Sequence, residues 1–336
     1  MDQHARDAHA VLLPVSGELT VSPWLRTLLE RGTVAVLPGE SREEYVARGM
    51  SPQRRATETA ADFGRFVSEV QGLAGAPVLV AVDQEPWGIQ RLHGLVPPYP
   101  ETGLLARLSD DEIRAASKAV AAAAAGVGVN MFLAPVLDVL RGPNPWLEGR
   151  TLALAPEEVG RIAAAVVLGV QDGGVVAVGK HFPGFPRLDL DPALEDTVLA
   201  GEESGADDLV PFRRAVDAGV GAIMLGPAVV EELDPHEPAS TSKAVVELLR
   251  GPLGFSGLIV SDDLDAPSTT HGRSLLGTVF ASIEAGTELL LLPGGDEVVA
   301  LADAIAERSR ADQGFARAVA LAARHVRAVA ERVTQG

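Results

Sequence analysis

Charged residues that could do chemistry follow apolar segments at several points along the chain. Lys180 and His181 end the segment VVAVGKHF, Asp262 and Asp263 end GLIVSDDL, and Asp83 ends PVLVAVDQE. Acids and bases interleaved in this way suit a ligand with many hydroxyl groups, because hydroxyls accept from Lys and Arg and donate to Asp. These residues therefore predict a binding site for a polyhydroxylated molecule, provided that the fold brings them together.

The elements that must position these residues are short apolar runs separated by longer helical patterns. Runs that are apolar throughout are typical of strands in a parallel sheet covered on both faces. Residues 156–174 and 109–128 show helical periodicity, with a proline or capping residue at the start and glycine at the end. The candidate strands are residues 11–15, 33–38, 77–85, 129–139, 175–182, 221–230, 257–264 and 288–293.

Eight candidate strands alternating with helices favour an α/β fold, a single (β/α)₈ TIM-like barrel, over a doubly wound open sheet. No Gly/Ser/Pro-rich linker divides the chain, so we expect one domain over residues 1–336. In a parallel barrel the site lies where strands end. Arg91 follows the third strand, and Asp138 ends the fourth, with Arg150 in the loop beyond it. This convergence predicts a binding mouth at that end of the barrel.

The amino-acid composition limits the kinds of molecule that this protein is expected to bind. The chain has 28 basic and 46 acidic residues and a formal net charge of −18, which argues against nucleic-acid and membrane partners. It has no cysteine, its histidines lack the spacing of metal ligands, and no glycine-rich loop opens a helix to hold a phosphate. We therefore expect neither a metal nor a cofactor. The N-terminal residues do not read as a signal peptide, so a cytoplasmic location is the default expectation.

Four blocks resemble glycoside hydrolase family 3, in particular its single-domain bacterial β-N-acetylglucosaminidases. They are VDQE…QRL at 82–92, APVLDV at 134–139, GKHFPG at 179–184 and SDDL at 261–264, and the resemblance runs from about residue 20 to about 330. It implies a TIM-like barrel and a small-molecule sugar or glycoside as ligand. It also implies that Asp262 is the nucleophile of a retaining glycosidase. The residues implied to bind the sugar are Asp83, Arg91, Arg150, Lys180 and His181.

The chain departs from the family pattern around the expected site. The family's KHFPGHG is KHFPGFP here, with Phe185 in place of a His. Its Asp-Ser-His triplet, whose His is the acid/base, falls on Asp191-Pro192-Ala193, so the Asp is kept and the His is an alanine. Trp87 stands in a turn where the family has glycine, which predicts an indole that lines and narrows the pocket. The strand-six block also lacks its His and reads Met224-Leu225-Gly226-Pro227.

Three functions remain compatible with this pattern. The first is a retaining β-glycosidase for N-acetylhexosaminides or related sugars, with an altered or absent acid/base. The second is a diverged enzyme with other chemistry on a sugar-like ligand, and the third is a non-catalytic sugar-binding protein. Glu195 and His271 are the first alternatives for a proton donor, although a solvated surface carboxylate or histidine is equally typical of such loops.

Overall fold

The computed structural model describes residues 1–101, 103–201 and 205–334 and contains an eight-stranded parallel sheet. We number its strands in chain order: β1 Leu12–Ser16, β2 Ala35–Pro38, β3 Leu79–Val82, β4 Met131–Phe132, β5 Val176–Phe182, β6 Ala222–Leu225, β7 Leu258–Val260 and β8 Leu290–Leu292. Neighbours along the chain are neighbours in the sheet, and β1 also pairs with β8. A parallel bridge between Val260 and Leu289 joins β7 to β8 and closes the barrel. The barrel fold predicted from the sequence is confirmed.

Each observed strand lies within or overlaps its predicted segment, and all of them except β1 are shorter than that segment. β4 ends at Phe132, although hydrogen bonds to β5 continue beyond it, from the Val178 N–H to Ala134 O at 2.9 Å and at the bridge between Val136 and Lys180. β6 ends at Leu225. The rest of its predicted segment, Val229–Val230, instead belongs to a small three-stranded sheet with Val198–Leu199 and Asp234–Pro238. This small sheet was not predicted.

Helices cover the outside of the barrel, and their ends follow the capping signals in the sequence. Ser109 and Glu112 form a reciprocal capping box at the start of the helix that ends at Gly126, and Pro156 opens another that ends at Asp172. The helices, α1 to α13 in chain order, are Gln3–Ala10, Pro23–Glu30, Arg42–Val46, Pro52–Thr57, Ala60–Ala74, Asp110–Gly126, Pro156–Asp172, Val210–Asp217, Lys243–Arg250, Pro267–Thr270, Leu275–Ala285, Asp296–Ala311 and Gln313–Thr334. Within the described ranges, no helix is both long and apolar enough to cross a membrane.

The barrel strands serve two apolar layers at once. In β3, Val80 and Val82 belong to the cluster that includes α5, α6 and α7, whereas Leu79 and Ala81 belong to the cluster that includes α12 and α13. This alternation follows from the two-residue period of a strand. The strand ends are therefore fixed from both faces, which holds the loops at the mouth in place.

The connection between β2 and β3 contains three helices, α3, α4 and α5. Ser41 caps α3 and forms a capping box with Glu44, whose carboxylate also accepts from Arg54 at 2.9 Å. These contacts hold α3 as a fixed wall beside the carboxyl ends of the strands.

Candidate active site

A cavity of about 510 Å³ opens at the carboxyl ends of the strands. Its lining includes Asp83 after β3, Lys180 and His181 of β5, and Asp262 after β7. A volume of this size suits a small organic ligand. A slightly larger cavity, about 610 Å³, lies at the other end of the strands, but its described lining contains no carboxylate. The first cavity therefore carries the chemistry.

Four buried charges form one network in the wall of this cavity. Lys180 Nζ bonds Asp83 Oδ1 and lies 2.8 Å from Glu85 Oε1. Arg150 Nη2 donates to the same Glu85 oxygen at 2.7 Å, and its Nε donates to Oε2 at 3.1 Å. Burial alone would raise the pKa of Glu85, but Arg150 and Lys180 outweigh it and lower that pKa to about 2. Two acids and two bases thus compensate each other.

His181 is held as a neutral ring. Its Nδ1 lies 2.8 Å from Asp138 Oδ2, and the backbone N–H groups of His181 and Phe185 donate to the same carboxylate at 3.0 and 2.8 Å. Burial, together with Arg150 and Lys180, lowers the pKa of His181 well below its usual value. Because the Nδ1–H donates to the Asp138 carboxylate, Nε2 of the neutral ring is left as an acceptor. Trp146 packs on the ring, with centroids 4.2 Å apart.

Asp262 presents an unpaired carboxylate oxygen in the same cavity. Its backbone N–H donates to Ser240 Oγ at 3.0 Å, and its Oδ1 accepts from the Asp263 N–H at 2.8 Å. Its Oδ2 is buried and has no hydrogen-bond partner among the described residues. Burial raises the pKa of Asp262 to about 6, while the Asp263 N–H and Lys180 oppose that rise. A carboxylate held in this way can attack an electrophilic carbon.

Two residues expected at the pocket lie elsewhere. Arg91 is fully buried behind the wall, where Nη1 and Nη2 donate to the Glu58 carboxylate at 2.6 and 2.7 Å. Trp87 packs in the hydrophobic core, and its Nε1 donates to Pro100 O at 3.4 Å. Neither residue is part of the cavity lining, so the sugar contact predicted for Arg91 and the narrowing predicted for Trp87 have no support from the geometry of this cavity. The buried guanidinium of Arg91 pairs with a carboxylate of the protein, and the large indole ring of Trp87 is buried in the core.

The loop after β5 is tied to α3. Arg48 forms a salt bridge with Asp191, and Arg42 Nη2 donates to Ala193 O at 2.7 Å. Asp191 Oδ1 also accepts from the Ala193 N–H at 3.0 Å. Ala193 is buried. Asp191 therefore serves to shape this loop, and it is not part of the cavity lining.

Two departures from the family pattern fit together in space. A Cβ built on Gly226 would lie 2.0 Å from Cε2 of the Phe185 ring, so the ring occupies the volume that a larger residue at 226 would need. Phe185 is fully buried and makes an edge contact with Trp146 at 5.8 Å between centroids. Phe185 and Gly226 therefore pack as one apolar unit below the mouth.

Glu195 and His271 do not reach the cavity. His271 Nδ1 lies 3.0 Å from both carboxylate oxygens of Asp196, and Glu195 is exposed with its backbone carbonyl accepting from Ser268 Oγ at 2.9 Å. Both residues hold the surface loop against α10. Neither is placed to donate a proton inside the cavity.

Sequence reasoning missed three ionisable lining residues, Glu40, Arg42 and Tyr45, which all follow β2. Tyr45 lies between two guanidinium groups, with Arg42 Cζ 5.5 Å and Arg48 Cζ 5.1 Å from its ring centroid. One signal was present in the sequence. Glu40 comes directly after the apolar run TVAVLPG, in the same strand-end position that drew attention to Asp83 and Asp262.

Comparison with known proteins agrees with the geometry. Residues 47–334 match the glycosyl hydrolase family 3 N-terminal domain. The chain is 34% identical over 240 residues to a β-hexosaminidase of Alkalilimnicola ehrlichii, and 35% identical over 237 residues to one of Tolumonas auensis. These alignments cover 68% and 67% of this chain, and 69% of each relative.

A solved structure shares the whole fold. The β-N-acetylhexosaminidase of Beutenbergia cavernae superposes with a TM-score of 0.85 at 26% identity, covering 98% of this chain and 99% of that one. The family match spans most of the sequence, and the barrel is the fold of the matched structure. The chain belongs to glycosyl hydrolase family 3.

Proposed function

We propose that this protein is a retaining β-glycosidase for N-acetylhexosaminides or related sugars, with Asp262 as nucleophile and without the family's histidine acid/base. The observation that carries the proposal is the unpaired Oδ2 of Asp262 in a cavity that Asp83, Lys180, His181 and Arg150 also line. Carboxylates, an ammonium, a guanidinium and a neutral imidazole around one cavity can bond many hydroxyls. The resemblance of the chain to β-hexosaminidases supports the sugar class.

The chemistry divides into two steps. Asp262 attacks the anomeric carbon, forms a glycosyl ester and releases the leaving group, and water then hydrolyses the ester. A poor leaving group needs a proton in the first step, and water needs a base in the second. Ala193 can supply neither. We therefore expect turnover of aryl glycosides with good leaving groups, much slower turnover of alkyl glycosides, and acceleration by azide where the second step is slow.

Trapping of the intermediate tests this proposal. The protein is incubated with a mechanism-based fluorosugar of the N-acetylhexosamine series, and the labelled peptide is identified by mass spectrometry. The expected label lies on Asp262, and the Asp262→Asn variant, which keeps the shape of the side chain, should take none. Label on another carboxylate, or no label together with no hydrolysis of an aryl glycoside, would refute the glycosidase assignment.

The contacts of the β5 loop favour one alternative, a protein that binds sugar without turnover. Arg48 forms a salt bridge with Asp191, and Arg42 donates a hydrogen bond to the backbone carbonyl of Ala193, so neither acceptor is left to orient a catalytic group. A binding protein would show thermal stabilisation by N-acetylglucosamine but no label and no product release. The same trapping experiment, run beside a thermal shift assay, therefore separates the two functions.

A further inference from the structure

Glu40 is a buried acid in the cavity that the proposed reaction does not use. It follows β2, lines the cavity, and is only 3% exposed. Neither of its carboxylate oxygens has a hydrogen-bond partner among the described residues. A buried carboxyl group without any partner is costly, so such a group needs an explanation.

The protein's own cations near the cavity are already paired with other acids. Arg91 holds Glu58, and Arg42 Nη1 holds Asp263 Oδ2 at 2.9 Å. Lys180 and Arg150 share Asp83 and Glu85. None of the salt bridges between described residues includes Glu40. The charge of an ionised Glu40 is therefore left for a bound molecule to compensate.

The cavity lining contains more acids than bases, which also favours a ligand that carries positive charge. The described lining contains Glu40, Asp83, Asp262, Asp263 and Asp265 against the three bases Arg42, Arg150 and Lys180, while His181 is neutral. Burial, then Asp83, raises the pKa of Glu40 well above its usual value, against the opposing effect of Lys180 and Arg91. A neutral hydroxyl could satisfy one oxygen, but only a cation would compensate the charge.

We propose that the cavity binds a glycoside carrying a free, protonated amino group, and that Glu40 pairs with this ammonium. The inference rests on the proposed sugar-binding role of the same cavity and, among the related sugars that this role includes, selects amine-bearing sugars over N-acetylated ones. The ammonium replaces the missing protein partner of Glu40, and Asp83, Lys180, Arg150 and His181 remain available to the hydroxyls.

Proton release should accompany this binding. Glu40 faces Asp83 after β3, Arg91 behind the wall, Lys180 of β5 and Asp263 after β7. The two acids and burial favour the protonated form, so an arriving ammonium displaces a proton when Glu40 ionises. Calorimetric titration in buffers of different ionisation enthalpy should therefore show net proton release for an amino sugar and less for a neutral one.

The test compares methyl β-glucoside, methyl β-N-acetylglucosaminide and the 2-, 4- and 6-amino-deoxy analogues of methyl β-glucoside, titrated into the full chain. At least one amino analogue should bind about 10- to 100-fold more tightly than the neutral glucoside, as expected for a charged hydrogen bond. Glu40→Gln should lose that preference. Glu43→Gln, a matched exposed glutamate on α3 outside the cavity lining, should keep the preference.

The outcomes separate this inference from the proposed function. If the N-acetyl sugar binds as tightly as every amine in the wild type, the inference is overturned while the glycosidase assignment stands. The same conclusion follows if Glu40→Gln keeps the amine preference. If fluorosugar labels Asp262 but no amine is preferred, only the ligand class is wrong. If no sugar binds and nothing labels Asp262, both proposals fall together.

Discussion

At the scale of single residues, the most informative group is Asp262, because its burial makes the stability of the protein depend on pH. Burial raises the pKa of Asp262 to about 6 from the usual aspartate value of 3.8. The folded protein therefore holds this proton more tightly than the unfolded chain does, and the group costs stability once pH passes above 3.8. That cost grows until pH exceeds about 6 and then stays constant.

Asp262→Asn should accordingly stabilise the protein at neutral pH. We expect its free energy of unfolding to rise by about 1–3 kcal/mol at pH 7.5, and by less at pH 5, as measured by urea denaturation. Asp265→Asn, which changes an exposed carboxylate close by, is the matched control and should change stability little. A larger gain at pH 5 than at pH 7.5 would contradict the sign of this argument.

Replacing Arg91 should have the opposite effect on the free energy of unfolding, because its guanidinium pairs with a carboxylate inside the protein. Arg91→Met removes the buried guanidinium that bonds both Glu58 oxygens and leaves that carboxylate with Arg54, at 3.2 Å, as its remaining cationic partner among the described residues. We expect a loss of about 3–5 kcal/mol in the free energy of unfolding, part of which Glu58→Gln should recover in the double variant. Sugar affinity should change little, because Arg91 does not line the cavity. A loss of affinity with unchanged stability would instead support the sugar contact expected from the sequence.

These two residues show how far the sequence alone leads at this scale. The strand-end positions of Asp83, Lys180, His181 and Asp262 follow from the period of the apolar runs, and the barrel closes them around one cavity. The direction in which the Arg91 side chain points does not follow from the position of Arg91 in the sequence. It depends on Glu58, which lies directly after α4 and has no signature that links it to Arg91 in the sequence.

At the scale of elements, the contact between α3 and the β5 loop sets what a restored histidine could do. Asp191 would have to orient an imidazole at 193, but Arg48 already occupies this carboxylate. We therefore expect Ala193→His alone to gain little, and Ala193→His with Arg48→Gln to raise kcat/KM on an alkyl glycoside by about 10-fold or more.

Aryl glycosides with good leaving groups provide the internal control for this pair of variants. They need little protonation in the first step, so the double variant should accelerate them far less than the alkyl substrate. An equal gain on both substrates would mean that the loop had changed its shape rather than gained an acid.

The elements also mark where prediction from sequence stops. Apolar strands and capped helices were placed correctly because their signals are local, as in β5 and in α7. The small sheet formed by Val198–Leu199, Val229–Val230 and Asp234–Pro238 was missed, because two-residue strands have no period of their own. The wall contributed by α3 was missed for the same reason: a helix of five residues leaves little pattern.

At the scale of the whole molecule, the alternation of each strand between two apolar layers argues for a single folding unit. Val36 of β2 belongs to one layer, and its neighbours Ala35 and Leu37 belong to the other. The same holds in β5, where Ala177 lies between Val176 and Val178. Neither layer can lose its packing without exposing the opposite face of the same strands.

We therefore propose that residues 1–336 form one domain and predict that they unfold in one step. Far-ultraviolet circular dichroism, which reports helices, and tryptophan fluorescence, which reports Trp24, Trp87 and Trp146, should give coincident urea transitions. The fluorescence probes sample the barrel from different sides, since Trp146 packs on His181 whereas Trp24 lies in α2. Binding of a sugar should shift both transitions together to higher urea concentration, because a ligand of the folded state stabilises the whole unit. Two separated transitions, of which only one moved with the ligand, would divide the chain into independent units and refute the single domain.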